Sequence, residues 1–144
     1  MEIYICKVCG HIEFGTAPDV CPVCHAAKIA FQENNSIFED SAKDNSEGIK
    51  KHTPYVITQK DALIEEGPST DVKVCIGELL HPMLENHFIH FIDCYIDGKF
   101  TARSEFSPEA IYPAADFYMT KTSGKVTIVE KCNLHGYWRT DVDL

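Results

Sequence analysis

Residues 88–106 read Phe88-Ile89-His90-Phe91-Ile92-Asp93-Cys94-Tyr95-Ile96-Asp97-Gly98-Lys99-Phe100-Thr101-Ala102-Arg103-Ser104-Glu105-Phe106. The run from Phe88 to Ile96 is β-branched and aromatic, which suits a strand and not a surface helix. Asp97-Gly98 is a strong two-residue hairpin signal, so the stretch predicts two antiparallel strands. Upstream, Val72, Val74 and Ile76 alternate with Asp71, Lys73 and Cys75, the period of a half-buried strand. Downstream, Phe117–Lys121, the turn Ser123-Gly124 and Lys125–Glu130 predict a second hairpin. Pro54, Pro68, Pro82, Pro108 and Pro113 leave little room for a long helix. Residues 51–144 are therefore expected to be mainly β, as a sandwich of short strands.

The first third is different. Residues 1–35 are short, cysteine-rich and broken by Gly10, Gly15, Pro18 and Pro22, too little chain to bury a core without a staple such as a metal. Residues 36–50 are mostly polar and read as a flexible linker, with Ile37 and Phe38 as docking residues. The whole chain has 144 residues, 44% of them hydrophobic and 24% charged, which is a globular composition. It has no apolar run of the roughly 18 residues that cross a bilayer. Its beginning, Met1-Glu2-Ile3-Tyr4-Ile5-Cys6, lacks the basic region and apolar run of a secretory signal, so a cytoplasmic location is expected. Seven cysteines, an odd number, in such a compartment favour metal ligation over disulfides. A net charge of −9 argues against nucleic acid and anionic membranes as partners.

Two constellations carry chemistry. Cys6-Lys7-Val8-Cys9 and Cys21-Pro22-Val23-Cys24 form two CxxC turns separated by 11 residues. Each turn aims two sulfurs at one point, and two turns complete a tetrahedron that accepts iron or zinc. Gly10 allows the chain to reverse after the second sulfur, and Pro22 pre-sets the second turn. In the β segment, His52, His81, His87 and the CxxH turn Cys132-Asn133-Leu134-His135 bring imidazole and thiolate together, a donor set for iron, copper or zinc. His90 lies three residues from His87, hence on the opposite face of a strand, and reads as a non-ligand with a carboxylate partner. His11 and His25 read as surface residues, Cys75 and Cys94 as small buried ones, and Tyr137 and Trp138 as core or site-shielding aromatics.

The segment Tyr4-Ile5-Cys6-Lys7-Val8-Cys9-Gly10 with Cys21-Pro22-Val23-Cys24, Ala27-Lys28 and Phe31 resembles a rubredoxin-type domain, closest to the small version at the end of rubrerythrins. That resemblance implies one iron on Cys6, Cys9, Cys21 and Cys24, with a structural zinc as the alternative. His25 stands where such domains commonly have glycine. A rubrerythrin proper does not fit, because the chain has no helical Glu-x-x-His pair for two irons. Lys51-His52-Thr53-Pro54, Glu78-Leu79-Leu80-His81-Pro82-Met83, His87-Phe88-Ile89 and Cys132-Asn133-Leu134-His135-Gly136-Tyr137-Trp138 resemble the superoxide reductases, also called desulfoferrodoxins or neelaredoxins.

This second resemblance implies an immunoglobulin-like β-sandwich with a mononuclear iron. His52, His81, His87 and His135 would be equatorial, and the Cys132 thiolate axial. It implies one-electron reduction of superoxide to hydrogen peroxide, with Lys51 attracting the anion. An external electron donor such as rubredoxin and a homo-oligomeric assembly go with it, and the small-domain iron would be a relay. The alternatives are a non-catalytic iron electron carrier and a structural zinc protein. Relatives often carry Glu-Lys-His where this chain has Lys50-Lys51-His52. The oxidised site is then expected to lack a carboxylate unless Glu47 reaches it.

Overall fold

The computed structural model describes residues 1–44, 48–60 and 63–144. Its β segment holds two antiparallel sheets that face each other. Strands β4 (Pro54–Gln59), β5 (Thr70–Ile76) and β8 (Ala114–Met119) form one, in the order β4-β5-β8. Strands β6 (Ile89–Ile96), β7 (Lys99–Glu105), β9 (Lys125–Cys132) and β10 (Gly136–Asp143) form the other, in the order β10-β9-β6-β7. Val72, Val74 and Ile76 of β5, Ile92 and Cys94 of β6, Phe117 and Met119 of β8, and Val126 and Ile128 of β9 fill the space between them. This is the expected sandwich, with β6 and β7 joined at Asp97-Gly98.

The second expected hairpin does not form. β8 pairs with β5, while β9 pairs with β6 and β10. Phe117 and Met119 meet Val126 and Ile128 across the core and not side by side, so the Ser123-Gly124 turn carries the chain from one sheet to the other. The hairpin that does form joins β9 to β10 through residues 133–135, with Cys132 opposite Gly136. Cys75 points away from the core, opposite Tyr55 and Ala114, and is half-buried rather than buried.

Strand β6 does not alternate, because both of its faces are covered. Its outer face, with Phe91 and Tyr95, joins Val129 and Tyr137 in a second cluster against Ile3 and Ile12 of the small domain. That domain is a three-stranded sheet, β2-β1-β3, of β1 (Ile3–Cys6), β2 (Ile12–Phe14) and β3 (Phe31–Glu33). Two buried tyrosines fasten it: Tyr95 Oη donates to the Ile12 carbonyl at 2.6 Å and Tyr137 Oη to the Gly10 carbonyl at 2.8 Å. Arg103 grips the fully buried Asp93 through two bonds of 2.7 and 2.9 Å, and donates a third, of 3.0 Å, to the Cys9 carbonyl. His11 is also fully buried, which corrects its reading as a surface residue. It lies 2.7 Å from Glu13 and 3.6 Å from Asp93. Burial lowers its pKa, but the Asp93 and Glu13 carboxylates outweigh that and hold it above the ordinary histidine value.

Residues 37–44 are a helix, α1 (Ile37–Asp44), and not a flexible linker. Ile37, Phe38 and Ser41 share one face, and that face lies on β10. Phe38 packs on Phe14 under the Arg139 guanidinium, and Ser41 Oγ accepts from the Tyr137 amide at 3.0 Å. The docking expected of Ile37 and Phe38 is therefore present. A short helix, α2 (Ile49–His52), follows. Its end is pressed on Gly77, where a Cβ would lie 2.7 Å from the Lys51 carbonyl oxygen. Only glycine lets the two loops meet so closely.

His25 is exposed and takes φ of +67°, the left-handed conformation that explains why glycine is common there. His25→Gly is expected to raise the unfolding free energy of the metal-loaded protein by about 0.5–1 kcal/mol in a denaturant titration.

Candidate metal centres

Five donor side chains converge at one end of the sandwich, each from a different kind of anchor. His52 closes α2, His81 follows β5, His87 sits in the loop before β6, Cys132 ends β9, and His135 lies in the β9–β10 turn. The ligand atoms of His52, His81, His87 and Cys132 lie within 4.8 Å of one another. Successive ring centroids are 4.8 Å (His52–His81), 4.6 Å (His81–His87), 5.0 Å (His87–His135) and 4.9 Å (His135–His52) apart. The diagonal from His52 to His87 is longer, 6.4 Å, as the corners of a near-square require. The Cys132 sulfur approaches that square, 3.5 Å from His81 Nε2 and 3.7 Å from His135 Nδ1.

The imidazoles are set for coordination by their outer bonds. His52 Nδ1 lies 2.7 Å from the Gly48 carbonyl, and His81 Nδ1 lies 2.7 Å from the Pro82 carbonyl. A carbonyl only accepts, so each Nδ1 carries the proton and each Nε2 presents a lone pair inward. The buried Nε2 atoms of His52 and His87 have no hydrogen-bond partner among the described residues. Two orphaned nitrogens, two tautomers pinned from behind and one thiol fit a metal ion and no simpler polar network. Burial, reinforced by the neighbouring rings, lowers the pKa of all three, His81 to about 4. Burial raises the Cys132 thiol, and hydrogen bonds from the Leu134 and His135 backbone oppose it.

The walls of this site come from elements read for other reasons. Trp138 stacks on His52 at 4.9 Å and 17°, and its Nε1–H donates to the His135 carbonyl at 3.1 Å. Lys51 is exposed beside the rings, and its charge adds to the lowering of the His52 and His87 pKa values. His90 stays out of the site, 3.3 Å from Glu105. Glu47 lies outside the described residues.

Two residues escaped the sequence reading. Asn133 ties the His87 loop to the Cys132 turn: its amide donates to the Phe88 carbonyl at 3.1 Å, its Oδ1 accepts from the Phe88 amide at 2.9 Å, and its Nδ2 donates to the Asn86 carbonyl at 3.1 Å. Glu130 is fully buried on β9, and neither of its oxygens has a partner among the described residues. Burial keeps its carboxyl well above the usual carboxylate range. Its sequence signal is weak, an acid directly after the strand-like stretch Val126-Thr127-Ile128-Val129.

In the small domain the sulfurs of Cys6 and Cys24 are 3.6 Å apart, as are those of Cys9 and Cys21. A tetrahedron with metal–sulfur bonds of about 2.3 Å has edges of roughly 3.8 Å, so the four thiols fit one ion. The backbone bond from Ala26 lowers the Cys24 thiol, whereas burial outweighs the backbone bonds to Cys9 (from His11) and to Cys21 (from Cys24 and Val23) and raises both.

The comparisons agree with both centres. The family model described as desulfoferrodoxin matches residues 44–141, and the one described as rubrerythrin, rubredoxin-like domain matches residues 4–32. A desulfoferrodoxin from Syntrophotalea carbinolica is 30% identical, over 98% of this chain and 96% of its own. A superoxide reductase from Pyrococcus abyssi is 30% identical, over 75% of this chain and 99% of its own. The solved structure of a superoxide reductase from Nanoarchaeum equitans superposes with a TM-score of 0.56 at 28% identity, over 66% of this chain and 94% of its own. With a full-length relative, both domain models and the paired donor sets in agreement, the chain belongs to the desulfoferrodoxin family.

Proposed function

We propose that this protein is a two-centre superoxide reductase, with a small metal domain at 1–35, a joining segment at 36–50 and a catalytic sandwich at 51–144. The observation that carries the reading is the near-square of four imidazoles beside one thiolate. His52, His81, His87, His135 and Cys132 would hold the iron of this site. Cys6, Cys9, Cys21 and Cys24 are assigned to the second iron, with zinc as the occupant that metal analysis tests. When bound there, ferrous iron would supply the one electron that, with two protons from solvent, takes superoxide to hydrogen peroxide.

The chain's own residues do the rest. The net charge of −9 repels an anion at long range, so Lys51, with Lys50 beside it, provides the local attraction and orients a proton-donating water. The N–H groups of Leu134 and His135 hydrogen-bond the Cys132 sulfur and temper how much charge it donates. Trp138 covers the His52 ring and keeps bulk water off that side. Exposed Leu79, Leu80, Leu84 and Leu134 ring the ligand loops and suit transient docking of an external donor protein such as rubredoxin. Tyr55, Ile57 and Tyr118 on the outer face of β4-β5-β8 suit packing of a second copy in a homo-oligomer. Nucleic acid and membranes are not proposed as partners; among the described residues no helix is long and apolar enough to cross a bilayer. Five thiols committed to metal suit the reducing cytoplasm.

The direct test is stoichiometry: the reduced, iron-loaded protein should yield one peroxide per superoxide consumed, whereas dismutation yields one per two. Lys51→Ala should lower the second-order rate by about tenfold at low ionic strength, and the loss should shrink as salt rises. An equal rate at low salt would remove Lys51 from the mechanism.

The ligand set also predicts a pH dependence. His81 is held down from 6.5 to about 4, so in the metal-free protein the unfolded chain takes up its proton first. The His81 contribution to stability should be full above pH 6.5 and be lost as pH falls toward about 4. Thermal melts should show this slope without metal. His81→Leu should flatten it.

A further inference from the structure

The outer face of the catalytic sheet carries a feature that superoxide chemistry alone does not use. β10 sends alternate side chains to opposite faces. Trp138 goes inward to His52, and Tyr137 goes outward to the knuckle that bears Cys6 and Cys9. The Tyr137 hydroxyl donates to the Gly10 carbonyl at 2.8 Å, and the bond is buried. A Cβ at Gly10 would lie 3.0 Å from Tyr137 Oη and 3.2 Å from the Phe91 ring, so the knuckle is seated as close as a backbone allows. Gly10 follows Cys9 directly, and Tyr137 follows His135 by two residues. The ladder also places Gly136 opposite Cys132.

We propose that Tyr137 couples the two metal centres within one chain, the electron passing along Cys9–Gly10, across the Tyr137 hydrogen bond, and through Gly136 to His135 and Cys132. The route is covalent on both sides of a single hydrogen bond. One electron leaves the ferrous four-cysteine centre, which becomes ferric, and reduces the ferric five-donor centre to ferrous. Tyr137 keeps its proton and is not itself oxidised. Arg103, bonded to the Cys9 carbonyl and to Asp93, holds the donor side in place. The proposal rests on iron in both sites but not on superoxide as the substrate.

The structure supplies its own control. Tyr95 makes the same kind of contact, Oη–H to the Ile12 carbonyl at 2.6 Å, but from β6, which carries no proposed ligand. The experiment uses the full chain with both centres loaded and ferric. A flash-generated one-electron reductant reduces the four-cysteine centre, and the visible bands of both centres are followed as the electron moves. Amide hydrogen exchange at residues 6–12 reports how tightly the knuckle is seated.

The expected result is a transfer rate independent of protein concentration in the parent protein. Tyr137→Phe should slow it severalfold. Tyr95→Phe should loosen residues 6–12 by exchange without slowing the transfer. An unchanged rate in Tyr137→Phe, equal slowing by Tyr95→Phe, or a parent rate that rises with concentration would each overturn the proposal. The concentration series needs no variant. The peroxide assay fails or succeeds separately, because no superoxide is used here.

Discussion

Cys132 and Gly136 face each other across the β9–β10 ladder, and most of what the molecule does is hung on that pairing. The ladder fixes the spacing of a thiol and an imidazole three residues apart in sequence. Asn133, inside the turn, reaches back to the Phe88 backbone and so fixes the His87 loop to the same frame. Trp138 and Tyr137 leave the next two positions in opposite directions, one to the imidazole cluster and one to the small domain. A short hairpin thus sets the geometry of one metal site and its relation to the other.

The imidazole cluster is costly without its ion. Three rings are held below their ordinary pKa, and among the described residues two inward nitrogens, and a carboxyl two residues before the thiol, have no partner. Each of these would favour rearrangement in a metal-free chain. The β-sandwich holds them because its core lies elsewhere, in Val72, Ile76, Ile92, Ile128 and their neighbours. Bound metal repays that stored cost, so coordination and folding stability are linked.

Much of this was legible in the residues alone. The CxxC pairs, the histidines His52, His81 and His87 and the CxxH turn are visible as motifs, and the structure gathers them into two clusters. Their legibility has a physical basis, since donor atoms around one ion demand particular residue types in tight turns. The β6–β7 hairpin was legible because Asp-Gly is a local signal. Partnership between strands was not: β8 and Lys125–Glu130 of β9 look like a hairpin by pattern, yet each pairs with a strand distant in sequence. The polar composition of residues 36–50 suggested a flexible tether, but Ile37, Phe38 and Ser41 suffice to lay one helix face on β10. His11 looked like a surface residue because nothing local reveals Asp93 and Phe100 closing over it.

The small domain's seat has one further consequence, for how such proteins can be built. Among the described residues, Phe91, Tyr95, Val129 and Tyr137 are covered mainly by residues 1–35 and α1, with Phe100 and Arg103 of β7 closing the edge. Deleting that shield would leave a contiguous apolar face on a four-stranded sheet, the kind of surface that drives self-association. A single-centre protein on this scaffold therefore cannot arise by truncation alone. It needs hydrophilic residues at those four positions as well, so gain or loss of the small domain has to travel together with rewriting of the sheet beneath it.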